Sequence, residues 1–172
     1  MKYLGIDYGK KRIGVAISDK DGEIAFPFDL FQKVPPQKGV EAGKFKIFKD
    51  QWSNAEIQAL AKEISAICRE EKIGAIVIGL PLDLSGKETA MTVEVKKFAT
   101  TLKKITKKPV IFEKEFLTTK LVEAKFRQAG IKKKKMKEKI DAAAAAEILQ
   151  SYLDKMAKKP LTQNAERKIK KF

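Results

Sequence analysis

Residues Ala75-Ile76-Val77-Ile78-Gly79 form a short run without a polar side chain. A strand of that composition has no face to turn to water, and it reads as a buried parallel strand. Parallel neighbours need crossover connections, and the flanking sequence supplies them. After Ser53 and Glu56, a capping-box pair, the residues Ile57, Leu60, Ala61, Ile64, Ile67 and Cys68 recur at helical spacing. Met91, Val95, Phe98, Ala99, Leu102 and Ile105 form a second such stripe, which the spacing of Ser85 and Glu88 predicts to be capped there. Pro109 opens a strand over Val110–Phe112. Thr118 or Thr119 offers a cap for a helix to about Ala129, stopped by Gly130. The alanine-rich stretch Ile140–Met156 predicts a last helix with close packing.

Upstream the pattern changes. Tyr3–Tyr8 and Ile13–Ser18 read as a hairpin turning at Gly9–Arg12, and Asp21-Gly22 leads into a short third strand around Glu23–Phe26. Pro27, Pro35, Pro36, Gly39 and Gly43 predict a loop-rich stretch to about Trp52. The order predicts an α/β fold. Its five-stranded mixed sheet has three antiparallel strands followed by two parallel ones, with helices on both faces. One domain over residues 1–157 and a basic tail over 158–172 account for the 172 residues.

The side-chain inventory narrows the chemistry. Histidine is absent and cysteine occurs once, at Cys68, on the predicted core face of a helix. Histidine acid–base catalysis, Ser-His-Asp or Cys-His nucleophiles, histidine-ligated zinc and internal disulfides are thereby excluded. Carboxylates, lysines or hydroxyls must carry any reaction. Residues 1–86 hold 13 basic and 12 acidic side chains, whereas 87–172 hold 24 and 10. Almost all of the +15 excess is therefore in the second half. It peaks at Lys132, Lys133, Lys134 and Lys135, with Lys137 and Lys139 beyond. Such density predicts a polyanion partner held through counterion release, against the plainer reading of a solvated lysine-rich surface. Lys10, Lys11 and Arg12, in the first hairpin turn, could add phosphate contacts. No stretch reaches the roughly 18 apolar residues of a membrane span. Asp7 interrupts the place where a signal peptide's apolar stretch would run, so the sequence predicts a cytoplasmic location.

Three acids stand out. Asp7 breaks an apolar strand and is costly there unless a cation meets it. Gly5 and Gly9 leave bare backbone on either side, open to close approach by a ligand. Glu115 follows the strand Val110–Phe112, with Glu113 as its competitor. Asp141 stands at the start of the alanine helix, where the helix dipole alone would favour an acid. A mixed sheet brings a first strand, a later parallel strand end and a helix start to one edge. Three carboxylates there need cations, and hard oxygen donors suit Mg²⁺ or Mn²⁺, which serve phosphodiester displacement.

Leu4 to Ala16, with the Gly5-Ile6-Asp7-Tyr8-Gly9 and Lys10-Lys11-Arg12-Ile13-Gly14 segments, closely resembles the opening of the RuvX/YqgF family. Ile76–Leu82 with Gly86, Glu115–Thr119, and Asp141–Ala145 continuing through Leu149–Leu153 resemble three further family blocks in the same order. The family is described as Holliday junction resolvases and as nucleases that process the 5′ end of pre-16S rRNA. The resemblance implies a ribonuclease H-like fold, with Asp7, Glu115 and Asp141 as the metal-binding acids, the three that the residues themselves single out. It implies a nucleic-acid partner, either pre-rRNA in a ribosomal precursor particle or branched DNA, and a monomer or a homodimer.

The chain departs from the family in places. Lys114-Glu115-Phe116 stands where the family has Asp-Glu-Arg, and Glu94 stands where an arginine is usual. These changes leave open a non-catalytic nucleic-acid or ribosome-binding module. The Gly5–Gly9 strand also resembles the first phosphate loop of actin-like sugar kinases, but those need a second sheet domain that a chain of this length cannot build.

Overall fold

The computed structural model describes residues 1–32, 52–116 and 133–158, and the side chains of 115–116 and 133–142 lie outside that description. Strand β1 (Tyr3–Tyr8) occupies the middle of the sheet. On one side it pairs antiparallel with β2 (Arg12–Ser18), which pairs antiparallel with the edge strand β3 (Ala25–Gln32). On the other side it pairs parallel with β4 (Ala75–Leu82), which pairs parallel with β5 (Val110–Phe116). The order β3-β2-β1-β4-β5 is the predicted mixed sheet. Helices α1 (Asn54–Glu70) and α2 (Ala90–Thr106) pack together on one face, and α3 (Lys133–Ala157) crosses the other.

The apolar run in β4 is explained by this layering. Ile76 and Ile78 enter the core with Leu60 and Ile64 of α1 and Val95, Phe98 and Leu102 of α2. Val77, between them, faces the opposite way and packs with Ala16 against Ala145, Leu149 and Leu153 of α3. Alternate residues of one strand are thus covered by different layers. Cys68 lies in the first of these cores, as its helical position predicts.

Helix α3 comes unusually close to β1. A Cβ placed on Gly5 would stand 2.7 Å from Leu149 Cβ and 2.9 Å from the Ala145 carbonyl oxygen. Tyr3 and Tyr152 meet edge-on at 5.5 Å beside this contact. Gln150 ties the helix to the sheet margin: its Oε1 accepts from the Ala25 N–H at 2.9 Å, and its Nε2 donates to the Glu23 carbonyl at 2.9 Å.

Several boundaries differ from the sequence expectation. β3 continues through Pro27 to Gln32 rather than ending near Phe26. It is the edge strand and has an irregular register opposite Val15 and Ala16, a setting that tolerates proline. β5 extends to Phe116, so Glu115 lies within the strand, opposite Pro81, rather than past it. Ser53 and Glu56 form the predicted capping box. The cap of α2 is not Ser85 with Glu88 but Thr89 with Thr92. Ser85 is committed elsewhere: its N–H and hydroxyl donate to the Asp83 carboxylate at 2.9 and 2.7 Å, in a tight loop that Gly86 closes at φ +79°. α3 begins at Lys133 rather than Ile140, because lysine is a good helix former and nothing in Lys133–Lys139 breaks the pattern. The expected helix over 118–129, most of the loop after β3 and the tail beyond residue 158 lie outside the described residues.

The close contact makes Gly5 a sharp test of the packing. Gly5→Ala is expected to destabilise the fold by about 1–3 kcal/mol, the usual cost of forcing a methyl into a filled core. Urea denaturation would show it as a lower midpoint, and an unchanged midpoint would contradict the contact.

Candidate active site

Asp7 sits at the C-terminal end of β1, half-buried and paired with Gly14 in the register with β2. Strand alternation puts it on the face of Tyr3 and Gly5, the face that α3 covers. Successive contacts set a scale. Tyr3 meets Tyr152, and Gly5 meets Leu149 and Ala145, so α3 runs against the direction of β1. Two strand residues advance about 6.6 Å and one helical turn about 5.4 Å. The next two strand residues match four to five helical residues, which brings Asp7 level with the turn of α3 around residues 141–145. Asp141 stands eight positions beyond the first residue of α3. It is therefore no helix-start acid, and the dipole explanation does not apply to it.

The two candidates on β5 separate clearly. Glu113 is buried, accepts from the Ser151 hydroxyl at 2.8 Å and is ion-paired with Lys155, both on α3. It clamps the strand to the helix. Glu115 occupies the position two residues further on, nearer the edge of the sheet where β1, β4 and β5 all end. Ile6 is opposite Ile78, and Gly79 is opposite Glu113, so Asp7 comes level with Glu113 two strands away. At about 4.8 Å between strands, the positions of Asp7 and Glu115 are on the order of 12 Å apart between α-carbons. That is a span two carboxylates and bridging cations can close.

Lys10 and Lys11 are exposed in the turn above Asp7, which the Gly9 N–H closes by donating to the Arg12 carbonyl at 2.9 Å. Arg12 begins β2 and is half-buried. These cations border the same edge of the sheet as Asp7. Lys133, Lys134 and Lys135 form the first turn of α3, which holds no acid, and Lys132 lies outside the described residues. Neither glycine beside Asp7 is left open for a ligand, contrary to expectation. α3 fills the space over Gly5, and a Cβ on Gly9 would meet the Arg12 carbonyl at 2.7 Å.

The donor chemistry fits a hard divalent ion. Cys68 is buried among α1 and α2, where desolvation pushes its thiol up to about 11, so it is no ligand. Oxygen donors remain, and these suit Mg²⁺ or Mn²⁺. Among the described residues no three acids or cysteines gather for a metal. Of the three candidate acids only Asp7 has a described side chain, and the convergence expected of Glu115 and Asp141 falls on side chains outside the description.

Sequence reasoning passed over Trp52, whose indole Nε1 donates to the Gly9 carbonyl at 2.9 Å and braces the turn next to Asp7. Its signal was a lone tryptophan at the end of a proline- and glycine-rich stretch. On the other face of β1, Tyr8 packs on Phe98 with ring centroids 4.9 Å apart. Burial, and then the charges of Glu94 and Glu56, push its phenol up to about 12. It is a neutral hydroxyl under ordinary conditions.

The chain matches the family described as RuvX, Holliday junction resolvase, over residues 1–57 and 37–155. It is 34% identical over 153 residues to a Maridesulfovibrio salexigens protein named "Putative pre-16S rRNA nuclease", covering 89% of this chain and 98% of that one. A Nitratidesulfovibrio vulgaris protein of the same name is 37% identical over 154 residues, covering 90% and 94%. Among solved structures, Thermus thermophilus RuvC in complex with Holliday junction substrate aligns with a TM-score of 0.52 at 11% identity, over 92% of this chain and 97% of that one. That likeness shows the ribonuclease H-like fold. No helix among the described residues is long and apolar enough to cross a membrane.

Glu113 is expected to matter for stability. Glu113→Ala removes charge-assisted hydrogen bonds from a buried position and should cost about 1.5–3 kcal/mol. The lower part of that range is expected because Lys155 is 60% exposed. Thermal and urea unfolding would measure the loss, and wild-type stability would show that the clamp contributes nothing.

Proposed function

This chain belongs to the RuvX family, and from that premise we propose that it is a metal-dependent nuclease acting on the 5′ end of pre-16S rRNA. The observation that carries the proposal is the position of Asp7. An acid at the C-terminal end of the central strand, on the face that α3 covers, lies at the reversal of connections where open α/β sheets bind ligands.

Asp7, Glu115 and Asp141 would hold one or two Mg²⁺ or Mn²⁺ ions. When bound, such ions supply Lewis acidity to the phosphoryl group, to the attacking water and to the leaving oxygen. The rest falls to the chain's own groups. The carboxylates act as anionic ligands and need no protonation change, consistent with a sequence that lacks histidine. Lys10, Lys11 and Arg12 hold backbone phosphates at the sheet edge and fix the position of the strand to be cut. Lys132–Lys135 extend that grip. Cations in the first turn of a helix are disfavoured by its dipole, and a bound polyanion offsets the cost. The substrate is held mainly through phosphates, so binding should weaken steeply with salt.

The family description favours a second substrate, the four-way DNA junction. Its resolution requires two sites in a symmetric dimer, whereas trimming an RNA end requires one.

Purified wild type and Asp7→Asn, each with Mg²⁺, Mn²⁺ or EDTA, would be compared on a pre-16S rRNA leader, a single-stranded RNA and a four-way junction. Wild type should cleave the leader only with metal. Asp7→Asn should lose at least about a hundredfold in rate, as when a group stabilising transition-state charge is removed, with folding and RNA affinity near wild type. Glu113→Gln should keep its activity. Cleavage by Asp7→Asn at the wild-type rate would remove Asp7 from the mechanism, and paired nicks in the junction by a dimer would favour the second substrate.

A further inference from the structure

The loop that joins β4 to α2 is short and closed on itself. Leu82 and Glu88 bridge antiparallel, the Asp83 N–H donates to the Lys87 carbonyl at 3.0 Å, and the Gly86 N–H donates to the Asp83 carbonyl at 2.9 Å. Inside the loop the Asp83 carboxylate accepts from the Ser85 N–H and hydroxyl, and from the Lys87 N–H at 2.8 Å. Thr92 of α2 donates its hydroxyl to the Pro81 carbonyl and ties down the base. The result is a miniature hairpin with Leu84 at its tip. Leu84 is 87% exposed, more than any other large apolar side chain among the described residues. A Cβ on Gly86 would meet nothing within 4 Å, so the tip stands clear of its surroundings.

Turn geometry accounts for Asp83 and Gly86 but not for Leu84. An acid at the first position and a glycine at the fourth are what such a turn asks for, whereas the second position accepts most residues. A lone exposed apolar side chain is commonplace on protein surfaces, and its place in the fold is what sets this one apart. β4 lies between β1 and β5, the strands of Asp7 and Glu115, and runs two residues past the end of β1. By strand rise and spacing, the tip stands on the order of 15 Å from Asp7 between α-carbons. At about 3.4 Å per stacked nucleotide, that is a few nucleotides along a strand whose phosphate sits at Asp7. A branched hydrocarbon makes no hydrogen bond to phosphate or sugar. Toward a nucleic acid it can meet only the flat face of a base, and leucine is among the side chains that proteins insert between stacked bases. A wedge must not bend away, and the bonds to Asp83 hold this tip in place. Lys87, exposed in the same loop, offers a cation to the phosphate alongside.

We propose that Leu84 is a positioning residue that wedges against a base step of the substrate where a paired stem gives way to the strand led to Asp7, a role that rests on the nuclease reading. It supplies no chemistry. It sets how far from the stem end the cut falls.

Full-length Asp7→Asn protein, which leaves RNA intact, would be titrated with an RNA stem carrying a single-stranded 5′ extension. 2-Aminopurine, which brightens when it loses a stacking neighbour, would be placed in turn at each position across the stem end. One position should brighten at least about twofold in the complex, and in Asp7→Asn with Leu84→Ser it should stay within about 20% of its free value. Leu84→Met on the same background should keep the rise. Phosphate contacts carry the affinity, so Leu84→Ser should bind within about threefold of its parent. Because the side chain is exposed, the urea midpoint should not move. With Asp7 intact, Leu84→Ser should scatter its cuts over neighbouring phosphates where wild type cuts at one. No brightening at any position, or equal brightening in Leu84→Ser, would overturn the inference. An unchanged cut position and rate in Leu84→Ser on naked RNA would sink this inference alone and leave the tip to a protein partner. Leu84-dependent brightening with a wild type that never cleaves would sink the nuclease reading alone.

Discussion

A missing side chain at position 5 governs much of this molecule. Because Gly5 has no Cβ, α3 lies directly on β1, with Leu149 and the Ala145 carbonyl in the space a methyl would take. The helix is then held at both margins, by Gln150 on the β3 side and by Ser151 and Lys155 on Glu113 of β5. With three attachments the crossing direction is no longer adjustable. Asp7 lies two residues beyond the Gly5 contact, so the same docking sets which part of α3 stands over it. A bulkier residue at position 5 would lift the helix and disturb the site without touching any acid.

The central strand also divides the molecule's chemistry. Its odd positions face α3 and end in Asp7, and its even positions, Leu4, Ile6 and Tyr8, face α1 and α2. One layer therefore faces Asp7 and the other encloses the cavity behind Tyr8, while the Gly9–Arg12 turn and its lysines bridge them. On the proposed function, a strand of nucleic acid would meet positive charge at that turn and Asp7 on the α3 side.

Local pattern made most of the fold legible. The apolar run at 75–79, the two helical stripes and the hairpin turn at Gly9 each report burial at a fixed period, and each stands where the pattern puts it. The misplaced boundaries have a common cause. Proline at 27 suggested a break, but an edge strand needs no N–H there. Ser85 looked like a cap, but the carboxylate two residues before it captured its hydroxyl. In each case a partner outside the local window decided the outcome. Glu113 and Glu115 show the same limit within the site. Glu115 stood out for its place after the apolar strand, but nothing local said what Glu113 does instead. Glu113 is bound by residues 38 and 42 positions away, contacts that no periodicity encodes.

The sequence by itself determined the layered α/β architecture and the kind of chemistry available. Burial periodicity is local, and a chain with no histidine and one core cysteine offers a divalent ion only oxygen donors. Tertiary structure alone decided which acid is spent on holding α3, how closely that helix approaches β1, and that Trp52 and Glu94 share a recess behind the same strand. Those outcomes depend on how closely whole elements approach one another. The approach is set by packing between residues far apart in the chain, of which the single hydrogen at position 5 is the clearest instance.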